Sequence, residues 1–66
     1  METLSAHIKQ KRRKYGLSQV ELAERAGVGL RFVREMEQGK DTLRMDKVNC
    51  VLSLFGESLG PVKIEM

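Results

Sequence analysis

Apolar positions recur at intervals of three and four over most of the chain, and glycines separate the resulting segments. The first segment, about residues 3–15, places Leu4, Ile8 and Tyr15 on one helical stripe. It ends before Gly16, a residue suited to a left-handed helix cap. We therefore predict a first helix over this segment, with His7 exposed and Tyr15 at the edge of the core.

The second and third segments are short, and both have clear end signals. Ser18 and Glu21 have the spacing of a capping box, which predicts a helix that starts there and stops at Gly27. The third segment, residues 29–38, is predicted to turn one apolar stripe inward: Val28, Phe32, Val33 and Met36. Helices this short are not stable alone, so each must pack against its neighbours.

The fourth predicted helix, about residues 43–55 with Thr42 as its cap, carries more apolar surface than one core needs. Met45, Val48, Leu52 and Phe55 share one face by helical spacing. Further apolar residues widen that stripe beyond its usual width, namely Cys50, Val51 and Leu54. We predict that these three residues lie in a dimer interface.

Residues 59–66 change to a period of two, with Val62 and Ile64 alternating with charged residues. This pattern is typical of a half-buried strand. No second strand is predicted for it to pair with, so the segment is either disordered or paired with the same strand of another copy. Pairing across a dimer agrees with the wide fourth helix, and we favour it.

Length and composition restrict the remaining chemistry. Cys50 and His7 are the only residues of their kinds, so an internal disulfide and a zinc cluster are not expected. We expect no cofactor and no enzymatic activity, because the chain offers no nucleophile–base pair, no phosphate cradle and little length for a substrate pocket. The single cysteine and the lack of a long apolar run or signal-peptide pattern favour a cytoplasmic protein without a membrane partner.

Charge permits nucleic-acid binding without requiring it. The net charge is +3, and five of the six residues 9–14 are basic. That cluster falls in the last turns of the first predicted helix, where cations also complement the helix dipole. Its charge alone therefore does not identify a DNA-binding surface.

The two short helices over residues 17–38, joined at Gly27, have the helix-turn-helix arrangement. Residues 17–23 (LSQVELA), 26–28 (AGV) and 37–40 (EQGK), together with Val33, resemble the Cro/C1-type (Xre-like) repressor family. The resemblance spans about residues 8–55. It implies an all-α, lambda-repressor-like fold of four to five helices over residues 1–58, with residues 59–66 as a C-terminal strand that pairs across a dimer.

In this family the second motif helix enters the major groove, so the resemblance implies four base-reading residues: Leu30, Arg31, Arg34 and Glu35. Arg31 suits a bidentate contact with guanine, and Leu30 suits a thymine methyl group. Glu35 either accepts from a cytosine amino group or orients Arg31. Arg34 reaches either a base or a phosphate.

The resemblance also implies residues that position the DNA backbone without reading sequence. They are Ser18, Gln19, Gly29, Gln38, Lys40 and Arg44. Gly29 departs from the serine or threonine that is common at the recognition-helix cap, which removes a hydroxyl from this surface. Arg12 and Glu37 match a structural ion pair of the family.

Residues 27–55 are most similar to HipB-like antitoxins, above all residues 31–33 and 39–48. This similarity implies a dimeric repressor that binds a palindromic DNA operator and a HipA-like kinase toxin. Two alternatives stay open: a phage-type repressor or restriction–modification controller without a toxin, and a protein-interaction module that does not bind DNA. Arg31, Arg34, Lys40 and Arg44 argue against the last.

Overall fold

The structure is a computed structural model that describes residues 3–60. These residues form four helices and no strand: α1 (Leu4–Lys14), α2 (Gln19–Ala26), α3 (Leu30–Glu37) and α4 (Met45–Leu54). The prediction of an all-α domain is confirmed. Val62 and Ile64, on which the predicted strand depends, lie outside the described residues.

The first helix begins and ends where its sequence predicts. The Thr3 hydroxyl accepts a hydrogen bond from the Ala6 N–H at 3.2 Å and so caps the start of α1. Tyr15 is the C-terminal cap, and Gly16 follows with a φ of 68°, a left-handed conformation that glycine adopts without strain. On this helix Ile8 is fully buried, and Leu4 packs against the same core while partly buried.

The capping box predicted for α2 is present. The Glu21 N–H donates to the Ser18 hydroxyl, and the Ser18 N–H donates to a Glu21 carboxylate oxygen, both at 3.0 Å. The bond from the Ser18 backbone is the main reason that the pKa of Glu21 lies below its ordinary value. At the other end, Gly27 caps the helix with a φ of 72°.

Replacing Ser18 by alanine is expected to destabilise the domain by about 1 kcal/mol, because the Glu21 N–H loses its acceptor. In a domain of this size, that loss lowers the thermal midpoint by roughly 4–8 °C. Thermal unfolding followed by circular dichroism measures it. Ser58→Ala, at an exposed position beyond α4, is the control, and equal midpoints for the two variants would contradict the capping role.

All four helices contribute to one core, which explains how two eight-residue helices are held. Its fully buried side chains are Ile8, Leu22, Val33, Met36, Val48 and Val51. The predicted inward stripe of α3 is confirmed at Val33 and Met36, and Phe32 packs against the same cluster while partly buried. Removal of this apolar surface from water is the main driving force for folding.

The fourth helix differs from its prediction in its start and in its faces. It begins at Met45 with Arg44 as the cap residue, and neither Thr42 nor any other side chain caps it. Leu43 instead packs against the core from the preceding loop. Met45 is 67% exposed, so its assignment to the inward face is wrong.

Val51 is the second correction on α4. It is fully buried among residues of its own chain, so it has no surface to offer a partner subunit. The inward face of α4 follows an i, i+3, i+4, i+7 spacing: Val48, Val51, Leu52 and Phe55. Cys50 and Leu54 remain exposed, as a dimer interface would require.

Side-chain contacts join α1 and its C-terminal cap to the residues that follow α4. His7 Nε2 lies 2.7 Å from Glu57 Oε1 and only 28% of the His7 side chain is exposed, so the expectation that His7 is an exposed residue is wrong. This hydrogen bond is the main reason that the pKa of Glu57 lies below its ordinary value. Nearby, the Tyr15 and Phe55 rings stack with their centroids 5.3 Å apart, which keeps Tyr15 at the edge of the core although much of it is exposed.

Candidate nucleic-acid interface

The arrangement of α2 and α3 is that of a helix-turn-helix. Three residues join the two helices, and Gly27 reverses the chain in the left-handed conformation. The Val28 N–H donates to the Ala23 carbonyl at 3.0 Å, which closes the turn onto α2. Both helices share the core, so the outer surface of α3 is presented on a fixed support.

A buried polar cluster, Arg12 with Glu37 and Gln19, ties this support together. The ion pair predicted between Arg12 and Glu37 is present and bidentate, with nitrogen–oxygen distances of 2.7 and 3.0 Å. Only 2% of the Glu37 side chain and 14% of the Arg12 side chain are exposed. Arg12 also donates to the Leu17 carbonyl at 2.9 Å.

Gln19 is the third member of this cluster. Its side-chain amide donates to Glu37 Oε1 at 3.3 Å. Thus Glu37, at the C-terminal end of α3, is held by α1 through Arg12 and by the first residue of α2 through Gln19. The cluster fixes the end of α3 relative to α1 and to the start of α2, and every buried side-chain polar atom in it has a hydrogen-bond partner.

The four predicted base-reading residues of α3 differ in how far their side chains are exposed. The Arg31 side chain is 92% exposed, and Arg34 is exposed as well. Glu35 is partly buried and lies between cations. Leu30 differs from the prediction of a wholly outward residue, because it is partly buried and packs against the core cluster.

Glu35 pairs with two of the cations that are predicted to contact DNA. Arg31 donates to Glu35 Oε1 at 3.2 Å, and Lys40 donates to Glu35 Oε2 at 3.1 Å. The hydrogen bond from Lys40 is the main reason that the pKa of Glu35 lies below its ordinary value. The carboxylate is therefore charged at neutral pH, so it repels phosphate while it holds the two cations.

The residues predicted to contact phosphate occupy different environments. Gly29 caps α3 without a side-chain bond, and Gln38 ends the same helix at an exposed position. Arg44 makes a bidentate ion pair with Asp46, with distances of 3.2 and 2.7 Å. That pairing is the main reason that the pKa of Asp46 lies below its ordinary value, and it offsets part of the charge that Arg44 would offer to DNA.

The start of α2 is already well supplied with partners. The Ser18 hydroxyl and the Glu21 carboxylate accept from two of the free N–H groups, and Gln19 is bonded to Glu37. The Gln19–Glu37 and Lys40–Glu35 contacts were not predicted from the sequence. The second of these has a sequence signal, because a lysine placed just past the end of a short helix can reach back to its last turn.

The described residues contain no group of three or more His, Cys, Asp or Glu side chains that could hold a metal ion. None of the four helices is long and apolar enough to cross a membrane.

The short turn, the exposed arginines of α3 and the buried cluster behind them define a helix-turn-helix DNA-binding domain. The Helix-turn-helix family model matches residues 8–61, and the chain belongs to this family. It is also 43% identical over 56 residues to an uncharacterized HTH-type transcriptional regulator of Sinorhizobium fredii, a match that covers 85% of this chain and 74% of that relative. The chain is a DNA-binding transcriptional regulator.

Proposed function

We propose that this regulator is a sequence-specific repressor that binds a palindromic operator as a homodimer. One observation carries the proposal: Arg31 and Arg34 project into solvent from a helix whose far end is fixed by the Arg12–Glu37–Gln19 cluster. An exposed arginine on a rigid helix can make a bidentate contact with guanine in the major groove. We assign base reading to these arginines, with a smaller part for Leu30. Glu35 either accepts from a cytosine amino group or orients Arg31, to which it is bonded.

The DNA backbone is proposed to contact the N-terminus of α2 and four residues at or beyond the ends of α3, namely Gly29, Gln38, Lys40 and Arg44. Lys40 and Arg44 follow α3 and carry positive charge at exposed positions. Each is ion-paired within the chain, so a phosphate must replace or share a carboxylate partner. These contacts set the position of the protein on DNA and carry no sequence information by themselves.

The dimer is supported by apolar surface that one chain leaves uncovered. Cys50 and Leu54 are one helical turn apart on α4, and both are exposed. Beyond α4, the alternation of Val62 and Ile64 in the sequence favours a strand that pairs with its copy. A two-fold dimer would bind two half-sites related by the same symmetry.

Replacing Leu54 by lysine is expected to shift the protein from dimer toward monomer, because a charge would be placed in the apolar interface. Deleting residues 59–66 should have the same effect if the strand contributes. Sedimentation velocity over a concentration series measures both. The control is Met45→Lys, at another exposed apolar position on the same helix. An unchanged dimer in both the Leu54→Lys variant and the deletion variant would contradict the proposed interface.

We further propose the HipB-like antitoxin role, in which the protein represses an operon that also encodes a HipA-like kinase toxin. The support is the similarity of residues 27–55 to that group. The product of the adjacent gene, expressed with this protein, tests the role. Copurification of a kinase-like product supports it, whereas an adjacent gene for a phage protein or a modification enzyme would favour the alternative regulators of the same fold.

The protein is proposed to act in the cytoplasm by binding alone, without catalysis and without a cofactor. The test is binding of the purified protein to the DNA upstream of its own gene, followed by fluorescence anisotropy. A scrambled duplex of the same length and composition is the control. We expect the upstream DNA to bind at least tenfold more tightly, and a reporter gene behind it to be repressed. Equal affinity for both duplexes would contradict sequence-specific repression.

A further inference from the structure

A carboxylate lies among the cations of the proposed DNA-binding surface. Glu35 accepts from Arg31 with one oxygen and from Lys40 with the other, so one carboxylate spans a proposed base contact and a proposed phosphate contact. By contrast, Arg34, on the same helix, has no ion-pair partner among residues 3–60. Within the described part of the chain, the surface therefore combines an arginine that has no ion pair with a three-membered ion network.

The geometry of the Arg31–Glu35 contact leaves the arginine able to read a base. Glu35 accepts from Arg31 Nε at 3.2 Å, and the two terminal nitrogens form no hydrogen bond with any of residues 3–60. The two terminal nitrogens of a guanidinium can make a bidentate contact with guanine O6 and N7. Glu35 can thus hold the side chain in one orientation while its terminal nitrogens remain available.

The Lys40–Glu35 contact, by contrast, weakens the binding of Lys40 to the DNA backbone. Lys40 Nζ lies 3.1 Å from Glu35 Oε2, so a DNA phosphate must compete with a carboxylate for this ammonium. Non-specific affinity comes almost wholly from cations that bind phosphates and release counterions. A lysine already neutralised within the protein contributes less to that affinity at every DNA sequence.

We propose that Glu35 is a specificity-determining positioning residue that raises the ratio of operator binding to non-specific binding. It orients Arg31 for base reading and withholds Lys40 from phosphates. This inference rests on the proposed function, because it requires α3 to lie in the groove. It assigns to Glu35 a role through its two cations rather than a direct contact with a base.

The test compares wild type with Glu35→Gln on random-sequence DNA and on the operator, over a series of salt concentrations. The control is Glu24→Gln, which removes the same charge from an exposed position on α2. We expect Glu35→Gln to bind random DNA about three- to tenfold more tightly at low salt. The plot of log affinity against log salt should steepen by about one unit per protomer, the contribution of one freed cation.

On the operator, Glu35→Gln should gain less than on random DNA, so the ratio of the two affinities should fall severalfold. A second pair of proteins separates release of Lys40 from loss of local repulsion: Lys40→Ala and the Lys40→Ala, Glu35→Gln double variant. The salt slopes of these two should agree, because the released cation is absent from both. An unchanged slope and ratio in Glu35→Gln, or a uniform loss of binding to both DNAs, would overturn the proposal.

The proposed function and this inference fail in different ways. Wild-type protein that shows no preference for any sequence would refute the repressor, whatever Glu35 does. The measurement on random DNA needs no operator. It therefore tests whether Glu35 keeps Lys40 from phosphates even if the protein has no sequence preference. An operator preference that Glu35→Gln leaves unchanged would refute the inference alone.

Discussion

Replacing Arg31 by alanine should weaken operator binding by roughly 5- to 150-fold, the equivalent of about 1–3 kcal/mol for one lost bidentate contact with a base. Affinity for random DNA should fall only about two- to threefold, because a single exposed cation is lost there. Fluorescence anisotropy on both duplexes at one salt concentration measures the two affinities. The ratio between them is the quantity that identifies base reading.

Lys14→Ala is the matched control for the loss of one positive charge. Lys14 is exposed on α1, and it lies two residues after Arg12, which faces the buried cluster. At about 100° per residue, Lys14 projects to the other side of that helix. Its removal should lower both affinities equally and slightly. Equal losses on operator and random DNA for Arg31→Ala would contradict the assignment of Arg31 as a base-reading residue.

Replacing Glu37 by alanine is expected to have the largest effect on stability, about 3–5 kcal/mol, because it strands the buried guanidinium of Arg12. A chain of this length has a free energy of unfolding of roughly 3–10 kcal/mol in total. The expected loss is therefore a large part of that total, and the variant should unfold at a much lower urea concentration than wild type. Urea unfolding followed by circular dichroism measures the loss.

The double variant Arg12→Met, Glu37→Met separates the cost of an unpaired charge from the value of the pair. Apolar side chains in place of a buried ion pair are often neutral for stability or better. We expect the double variant to regain most of the lost stability. A Glu37→Ala protein within about 1 kcal/mol of wild type would show that water reaches Arg12 and that the cluster does not hold the two motif helices.

Local signals predicted the ends of the short helices well. The Ser18–Glu21 capping box depends on two residues that are three positions apart. The left-handed cap at Gly27 bonds to the last turn of the same helix, so both signals can be found within one short segment. The start of α4 depends instead on packing. Leu43 is drawn into the core, so the helix begins at Met45 rather than behind a Thr42 cap.

The sequence predicted which residues form the candidate site better than it predicted the contacts among them. The resemblance identified Arg12 and Glu37 as a pair because both occupy motif positions of the family. No local pattern links His7 to Glu57, since fifty residues separate them. The burial of Val51 was missed for a related reason: helical spacing gives the width of an apolar stripe, but only the packed core decides which edge faces inward.

The measurement that tests the central claim most directly is selection of bound sequences from a random DNA pool by the purified protein. If α3 reads base edges and the protein acts as a dimer, the recovered sequences should share a palindromic consensus. Its half-sites should lie about one helical turn of DNA apart, centre to centre, and Arg31→Ala should lose the consensus at specific positions. Recovered sequences no more alike than the starting pool would contradict sequence recognition by this helix.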